Sequence, residues 1–180
     1  VKSLGESLSD KIFYLTSKNT TAKEALKSLY LLKEKNLSIK AISITSKEKI
    51  CLNDEISCNP EDCPFARGHF DRVNDALKDI LENEDIMDYD IITSYSEKHR
   101  LCPLEFELDI ALYSDIIICD YNYVFDPNVY LRRFFDESVD QYLFLIDEAH
   151  NLLERSRSMF SHTFVDSDFK ELRKSMDIKK

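Results

Sequence analysis

Four cysteines stand in polar, proline-flanked parts of the sequence, where thiolate side chains are suited to bind a metal. They are Cys51, Cys58, Cys63 and Cys102, with six, four and thirty-eight residues between successive members. Four thiolates are the ligands that a cubane iron–sulfur cluster or a structural zinc ion requires. The spacing departs from the paired CxxC arrangement of zinc ribbons, but by itself it leaves both cluster and zinc open. The fifth cysteine, Cys119, lies in an apolar run and is predicted to be a core residue.

A second group of reactive side chains follows the apolar run 142–146, which is typical of a strand. In open α/β sheets, ligands bind at the carboxyl ends of the strands. Asp147 at that edge can hold a nucleotide-bound Mg²⁺ through its water shell, and Glu148 can orient or deprotonate an attacking water. The alternative is a strand that runs into the acidic first turn of a helix, which the helix dipole favours. The full sequence Asp147-Glu148-Ala149-His150 is much more specific than a lone Asp-Glu pair.

The elements that must position these residues begin with a strand–helix–strand order. A β-branched and aromatic run predicts a strand over 12–16, an apolar stripe predicts a helix over 22–35, and alternation predicts a strand over 39–45. That order is typical of a parallel sheet. Residues 51–65 are expected to be irregular. Further along the chain the pattern predicts helices over 66–81, 89–97, 103–113, 129–135, 151–158 and 166–176, and strands over 115–120 and 142–146.

These elements predict an α/β fold, in which a partial parallel sheet with helices is interrupted by a small, mainly helical four-cysteine insertion. No apolar stretch approaches the roughly 20 residues that span a bilayer, so no membrane partner is expected. The N-terminus shows no signal pattern, and a cytoplasmic location is the default expectation.

Charge is unevenly distributed along the 180 residues, whose formal net charge is −10. Residues 1–50 carry ten Lys against five acids, whereas residues 51–127 carry five Lys or Arg against nineteen acids. Such a chain can bind nucleic acid only if its few cations are well placed. Most of the acids in the middle segment are expected to form a solvated face.

The order of these motifs resembles the XPD/DinG group of superfamily 2 DNA helicases. The matching features are the strand-plus-hydroxyl segment 12–21, the four-cysteine segment, the Leu101-Cys102-Pro103 run together with 114–127, and the DEAH box followed by Asn151. The resemblance implies a RecA-like first helicase domain that carries a four-iron four-sulfur cluster domain at the DNA path. It divides the chain into helicase domain 1 at 1–50, an iron–sulfur domain at 51–102, the second part of helicase domain 1 at 103–165, and the start of an arch insertion at 166–180.

The resemblance also implies roles for single residues. Asp147 would assist Mg²⁺, Glu148 would position the hydrolytic water, and His150 would couple the nucleotide state to DNA binding. The cluster ligands would be Cys51, Cys58, Cys63 and Cys102.

Contacts with single-stranded or forked DNA are implied in two places. Ser17, Lys18 and Thr20 belong to the segment that matches motif Ia, and amides and hydroxyls at a helix start suit phosphate. Candidates beside the cysteines are Arg67, Arg72, Lys98 and Arg100, with Phe70 and Tyr95 as aromatics able to stack on bases. For each of these, an ordinary surface or core role is an equally good interpretation.

One departure from the family pattern limits what this chain can do alone. A phosphate-binding loop of the form GxxxxGK[ST] needs two glycines five positions apart, and the chain has only Gly5 and Gly68. The chain alone is therefore predicted to be inactive as an ATPase. The resemblance implies that it is a fragment, without the second motor domain, of an ATP-dependent 5′–3′ DNA helicase of repair or replication. The cofactors of that full-length protein would be the cluster, Mg²⁺ and ATP.

Two other classes of protein also use four cysteines. One is a non-catalytic, zinc-binding nucleic-acid-binding module, which metal analysis distinguishes from a helicase. The other is an iron–sulfur nuclease, which needs a metal-binding Asp followed by an acid-x-Lys motif that this sequence does not convincingly show.

Overall fold

The computed structural model of the chain describes residues 9–136, 140–161 and 165–177. One parallel sheet runs through these ranges. Its strands are β1 (Lys11–Leu15), β2 (Ala41–Ser43), β3 (Ile86–Met87), β4 (Ile116–Cys119) and β5 (Tyr142–Ile146). Their spatial order is β3-β2-β4-β1-β5, and every pair of neighbours is parallel. The predicted α/β fold with a parallel sheet is therefore confirmed.

Helices connect the strands. They are α1 (Asn19–Lys33), α2 (Lys47–Ile50), α3 (His69–Asn83), α4 (Tyr89–His99), α5 (Pro103–Ala111), α6 (Asn122–Phe125), α7 (Arg132–Phe135), α8 (Leu152–Met159) and α9 (Asp166–Asp177), with a 3₁₀ turn at Ala149–Asn151. Within the described ranges, none of these helices has the length and apolar character needed to cross a bilayer.

Three short elements were not predicted from the sequence, namely β3, α2 and α6. A two-residue strand and single-turn helices are too short to produce a hydrophobic period. β3 pairs Ala41 with Ile86 and Ile42 with Met87, so the cysteine-bearing segment 51–102 contributes a strand to the sheet. That segment packs on the sheet, and the division of the chain into domains stays a prediction.

Some predicted helices have different bounds. The helix predicted over 66–81 begins only at His69, because Gly68 before it has a left-handed φ of 67°. The helix predicted over 129–135 shortens to α7, which follows a turn at 127–129.

Alternating side chains of β1 build a core on each face of the sheet. Ile12 belongs to the smaller core with Leu29 of α1, whereas Phe13 and Leu15 belong to the larger core. α3, α4 and α5 contribute buried residues to the larger core. The ring of Phe13 contacts the rings of Phe134, Phe135, Tyr142 and Phe144, with centroids 5.4–5.5 Å apart. These contacts attach α7 and β5 to β1.

A buried carboxyl group holds the loop that follows β2. Glu107 of α5 is 0% exposed, and both of its carboxyl oxygens lie 3.1 Å from the backbone nitrogen of Thr45. The Tyr123 hydroxyl donates to the carbonyl oxygen of the same residue at 3.3 Å. Burial raises the pKa of Glu107 well above its usual range, and the Thr45 N–H only partly opposes this. This loop leads through α2 to Cys51.

We predict that the Glu107→Gln variant loses part of the pH dependence of folding stability. Because the folded-state pKa is raised, the folded protein binds more protons than the unfolded chain above about pH 4.3. The free energy of unfolding of the wild type should therefore decrease as the pH rises from about 4.3 through the folded-state pKa of Glu107. That of the variant should decrease less over the same range. Urea unfolding at a series of pH values measures this, with the exposed Glu97→Gln as control. Parallel curves for all three proteins would contradict the prediction.

Candidate functional site

The carboxyl ends of β1, β4 and β5 lie side by side, which brings two of the predicted motifs together. Leu15 is in register with Cys119 on one side and with Ile146 on the other. The Asp147 N–H donates to the Leu15 carbonyl at 2.9 Å. The segment 16–18 after β1 therefore lies beside the acidic box after β5, which is the sequence Asp147-Glu148-Ala149-His150.

Tyr121 links the three strand ends. It is fully buried, and its hydroxyl donates to the backbone carbonyl oxygen of Asp147. The same hydroxyl is hydrogen-bonded to the Ser17 side chain, and burial raises the pKa of Tyr121, with the Asp147 charge adding to the rise. Sequence reasoning included Tyr121 only within the matching run and gave it no role. Its place just after a buried strand was the available signal.

Glu148 and Lys18 form an ion pair across this edge. The Lys18 ammonium lies 2.9 and 3.0 Å from the two carboxylate oxygens, and the Asn151 side-chain amide donates to one of them at 3.0 Å. Lys18 first, and then Asn151, hold the pKa of Glu148 below its usual range. Glu148 has a left-handed φ of 45°, which is uncommon for a residue with a side chain and turns the chain sharply after β5. A predicted DNA contact thus touches a predicted catalytic carboxylate.

Two other predicted residues lie near this pair. Thr20 is exposed in the first turn of α1, and His150 is exposed in the 3₁₀ turn after Glu148. Asp147 is half-buried, with its backbone held by Leu15 and Tyr121.

A groove of about 1460 Å³ runs along the carboxyl ends of β1, β2 and β4. Ser17 and the loop 43–46 line it with hydroxyl groups. The cations that line it are Lys18, Lys23, Lys47, Lys49, Arg132 and Arg133. Four of these six come from the basic first 50 residues of an otherwise acidic chain. Sequence reasoning named only Lys18, because the groove depends on how the strand ends are arranged.

The four candidate ligand cysteines lie in two pairs. Cys63 is buried and close enough to Cys102 for its charge to add to the pKa rise that burial causes at Cys102. Cys58 is exposed and hydrogen-bonds Lys47, whose ammonium also interacts with Cys51. Among the residues that the structure describes, no group of three or more Cys, His, Asp or Glu side chains is arranged to hold a metal ion.

The donor set nevertheless fits a four-thiolate group chemically. The Cys63 sulfur already accepts from the Asn53 side-chain amide at 3.1 Å and from the Ala66 N–H at 3.4 Å. The amides of Leu104 and Glu105, at the start of α5, favour the thiolate of Cys102. Polar N–H groups of this kind stabilise the thiolate form that metals require. The second pair must approach the first for all four sulfurs to bind one group.

The candidate DNA contacts beside the cysteines have different surroundings. Arg67 and Arg72 direct their guanidinium groups at backbone carbonyl oxygens, whereas Arg100 is exposed after α4 with a φ of 55°. Lys98 pairs with Asp79 at 2.5 Å and lies over the Tyr95 ring. Phe70 is 82% exposed, so its ring is accessible for stacking.

Comparison with known proteins decides the family. A family model named DEAD_2 matches residues 14–169, which is most of the chain. The chain belongs to the DEAD_2 family. The predicted resemblance to XPD-like superfamily 2 helicases is confirmed at this level.

Curated relatives of this DEAD_2 chain are much longer proteins. The Fanconi anemia group J protein homolog of Gallus gallus is 24% identical over 136 residues, covering 75% of this chain and 11% of that protein. The Regulator of telomere elongation helicase 1 homolog of Anopheles gambiae is 23% identical over 177 residues, covering 88% of this chain and 17% of that protein. The chain thus spans less than a fifth of the length of either relative.

Two solved structures share the fold of this DEAD_2 chain. A truncated XPD matches 84% of this chain and 45% of its own length, with a TM-score of 0.53 and 22% identity. An XPD helicase matches 86% of this chain and 27% of its own length, with a TM-score of 0.53 and 18% identity. At these identities the likeness concerns the fold alone.

We predict that Tyr121→Phe lowers the free energy of unfolding by about 1–2 kcal/mol, because the half-buried Asp147 carbonyl loses its side-chain donor. Urea unfolding measures the change. The matched control is Tyr113→Phe, which removes a hydroxyl from a residue that is 58% exposed and should change stability little. Equal stability of the two variants would show that the Tyr121 hydroxyl does not hold the acidic box.

Proposed function

We propose that this chain is part of an ATP-dependent DNA helicase, to which it supplies the acidic half of the ATP site and part of the DNA track. The observation that carries the proposal is the meeting of Lys18 and Glu148 at the carboxyl edge of a parallel sheet. Membership of the DEAD_2 family and a relative that is named a helicase support it. The 5′–3′ polarity and the role in repair or replication are parts of the proposal that rest on the family resemblance, and the cytoplasmic location rests on the sequence.

In this proposal the acidic box acts on nucleotide and water. Asp147, whose backbone is held by Tyr121 and Leu15, would bind Mg²⁺ through water. Glu148 would accept a hydrogen bond from the attacking water and orient it. When bound, ATP would supply the phosphoryl group, and Mg²⁺ would neutralise part of the phosphate charge. Because this chain lacks a phosphate-binding loop, we expect the full-length protein, and not this chain alone, to hydrolyse ATP.

Single-stranded or forked DNA is the proposed partner of the groove. The lysines of the groove would contact phosphates, and Ser17 would add a hydroxyl donor. A groove that follows the backbone with few base contacts would bind without strong sequence preference, as expected of a translocating protein. Because Lys18 also pairs with Glu148, phosphate binding there would alter the surroundings of the catalytic carboxylate.

We predict that Lys18→Met weakens binding of this chain to single-stranded DNA and lowers the slope of log affinity against log salt by about 0.7, the value for one lost phosphate contact. Fluorescence anisotropy of a labelled oligonucleotide at several salt concentrations measures both quantities. The control is Lys35→Met, an equal change of charge at an exposed residue that does not line the groove. Indistinguishable slopes for the two variants would place the DNA elsewhere.

A four-iron four-sulfur cluster is the proposed resident of the cysteine segment. Cys51, Cys58, Cys63 and Cys102 would hold it, and it would cross-link the segment after β2 to the start of α5. Cys119 would take no part, because it is buried in the core and its pKa is raised by burial.

We predict that the chain, purified and reconstituted without oxygen, is brown and carries about four iron and four sulfide per molecule. Ser substitutions of the four ligand cysteines, one at a time, should reduce iron and visible absorption. The control is Cys119→Ala, which should keep both. A colourless chain with one zinc ion would favour a zinc-binding module instead. A colourless, metal-free chain would remove the cysteine site from the proposal.

A further inference from the structure

The guanidinium group of Arg72 makes three hydrogen bonds, all to backbone carbonyl oxygens. Its Nη2 donates to Arg67 at 2.7 Å and to Arg100 at 2.6 Å, and its Nε donates to His99 at 3.1 Å. An arginine side chain has five N–H donors in a planar arrangement, so three of the five are occupied. These three bonds join backbone segments of the protein to one another, and the DNA contact that the sequence suggested for Arg72 stays a prediction.

The three acceptors belong to two segments that are far apart in the sequence and that each lead to a candidate ligand. The Arg67 N–H donates to the carbonyl of Cys63 at 3.1 Å, so one turn of backbone connects the first acceptor to that cysteine. His99 and Arg100 form the end of α4, and Cys102 follows two residues later. One side chain thus joins the backbone leading from Cys63 to the backbone leading into Cys102.

The end of α4 needs such a donor. The last carbonyls of a helix have no partner within the helix, and cationic side chains satisfy them well. The left-handed Arg100 turns the chain there, and the Leu101 N–H donates back to Ser96 at 2.9 Å. Charge-assisted bonds from Arg72 complete this turn, after which the chain continues directly to Cys102.

Gly68 provides the space for the Arg72 side chain. A Cβ atom on Gly68 would lie 2.6 Å from Arg72 Nη1, and the backbone φ of 67° would strain any other residue there. The turn between Cys63 and α3 therefore leaves room for the Arg72 guanidinium.

Arg67 extends the same arrangement toward the second pair of cysteines. Its Nε donates to the carbonyl of Pro60 at 3.0 Å, and its Nη2 donates to the carbonyl of Glu61 at 2.5 Å. Both acceptors lie between Cys58 and Cys63. Arg67, whose carbonyl is held by Arg72, thereby holds the loop that carries Cys58.

We propose that Arg72 is a positioning residue for the four-cysteine site, which ties the backbone next to Cys63 to the backbone next to Cys102. The inference rests on the proposed iron–sulfur site. Arg72 would keep these two backbone segments together while the four thiolates bind the group.

The test uses the 180-residue chain, reconstituted with iron and sulfide without oxygen. Arg72→Met keeps the alkyl stem and removes all three hydrogen bonds, and Arg72→Lys keeps the charge without the planar fork that reaches three carbonyls. The matched control is Lys98→Met, because Lys98 also links α3 to α4 but through the Asp79 side chain. With excess chelator, the visible absorption of the cluster should disappear at least about tenfold faster from Arg72→Met than from wild type. The rate for Arg72→Lys should be intermediate, and Lys98→Met should lose its absorption at the wild-type rate.

A second measurement separates positioning from general stability. Urea unfolding of the metal-free and the cluster-loaded chain gives the stabilisation that the cluster adds. That increment should shrink in Arg72→Met and stay at the wild-type value in Lys98→Met. If Arg72→Met does not fold without metal, Arg72→Lys supplies the same comparison.

The outcomes distinguish the two proposals. Suppose that the wild-type chain binds a cluster and that chelator removes it from wild type and all variants at the same rate. Suppose alternatively that the Arg72 variants lose equal stability with and without the cluster. Either result overturns the role of Arg72 and leaves the cluster proposal intact. A wild-type chain that takes up no iron and sulfide overturns the cluster proposal, and the role of Arg72 fails with it.

Discussion

The parallel pairing of β1 with both β4 and β5 is the constraint on which the rest of the structure depends. Parallel strands that lie side by side end at the same edge of the sheet, so the chain segments that follow them meet there. The ladder continues past the strand ends, where Thr16 donates to Cys119 at 3.0 Å and Asp147 donates to Leu15 at 2.9 Å. Lys18 and Glu148, which are 130 positions apart, come into contact for this reason.

Long polar side chains hold the segments that leave this edge. Buried backbone N–H and carbonyl groups must be hydrogen-bonded, and irregular segments cannot satisfy them within a helix or a sheet. The Tyr121 hydroxyl satisfies the Asp147 carbonyl, and the Glu107 carboxyl group satisfies the Thr45 N–H. Each of these loops, which carry candidate functional residues, is thus held by one side chain that belongs to a different part of the chain.

The sequence predicted the elements that have a strong period or a strong apolar run. The first strand–helix–strand unit, α3, α4, α5, β4, β5, α8 and α9 were all expected, with ends that shift by a few residues. β3, α2 and α6 were missed because one turn or two residues carry no period. The cysteines, the acidic box and the hydroxyl segment were found because each has an unusual local composition.

Residue types and their order were determined by the sequence alone: four thiols suited to a metal, two acids after an apolar strand, a hydroxyl-rich helix start, and no phosphate-binding loop. Only the tertiary structure decided which of them are neighbours. It brought Cys63 near Cys102, it paired Lys18 with Glu148, and it gathered cations from several segments into one groove. It also directed Arg72 to carbonyls of two distant segments. Such contacts depend on strand order, register and the direction of single side chains, and none of these has a local signature in the sequence.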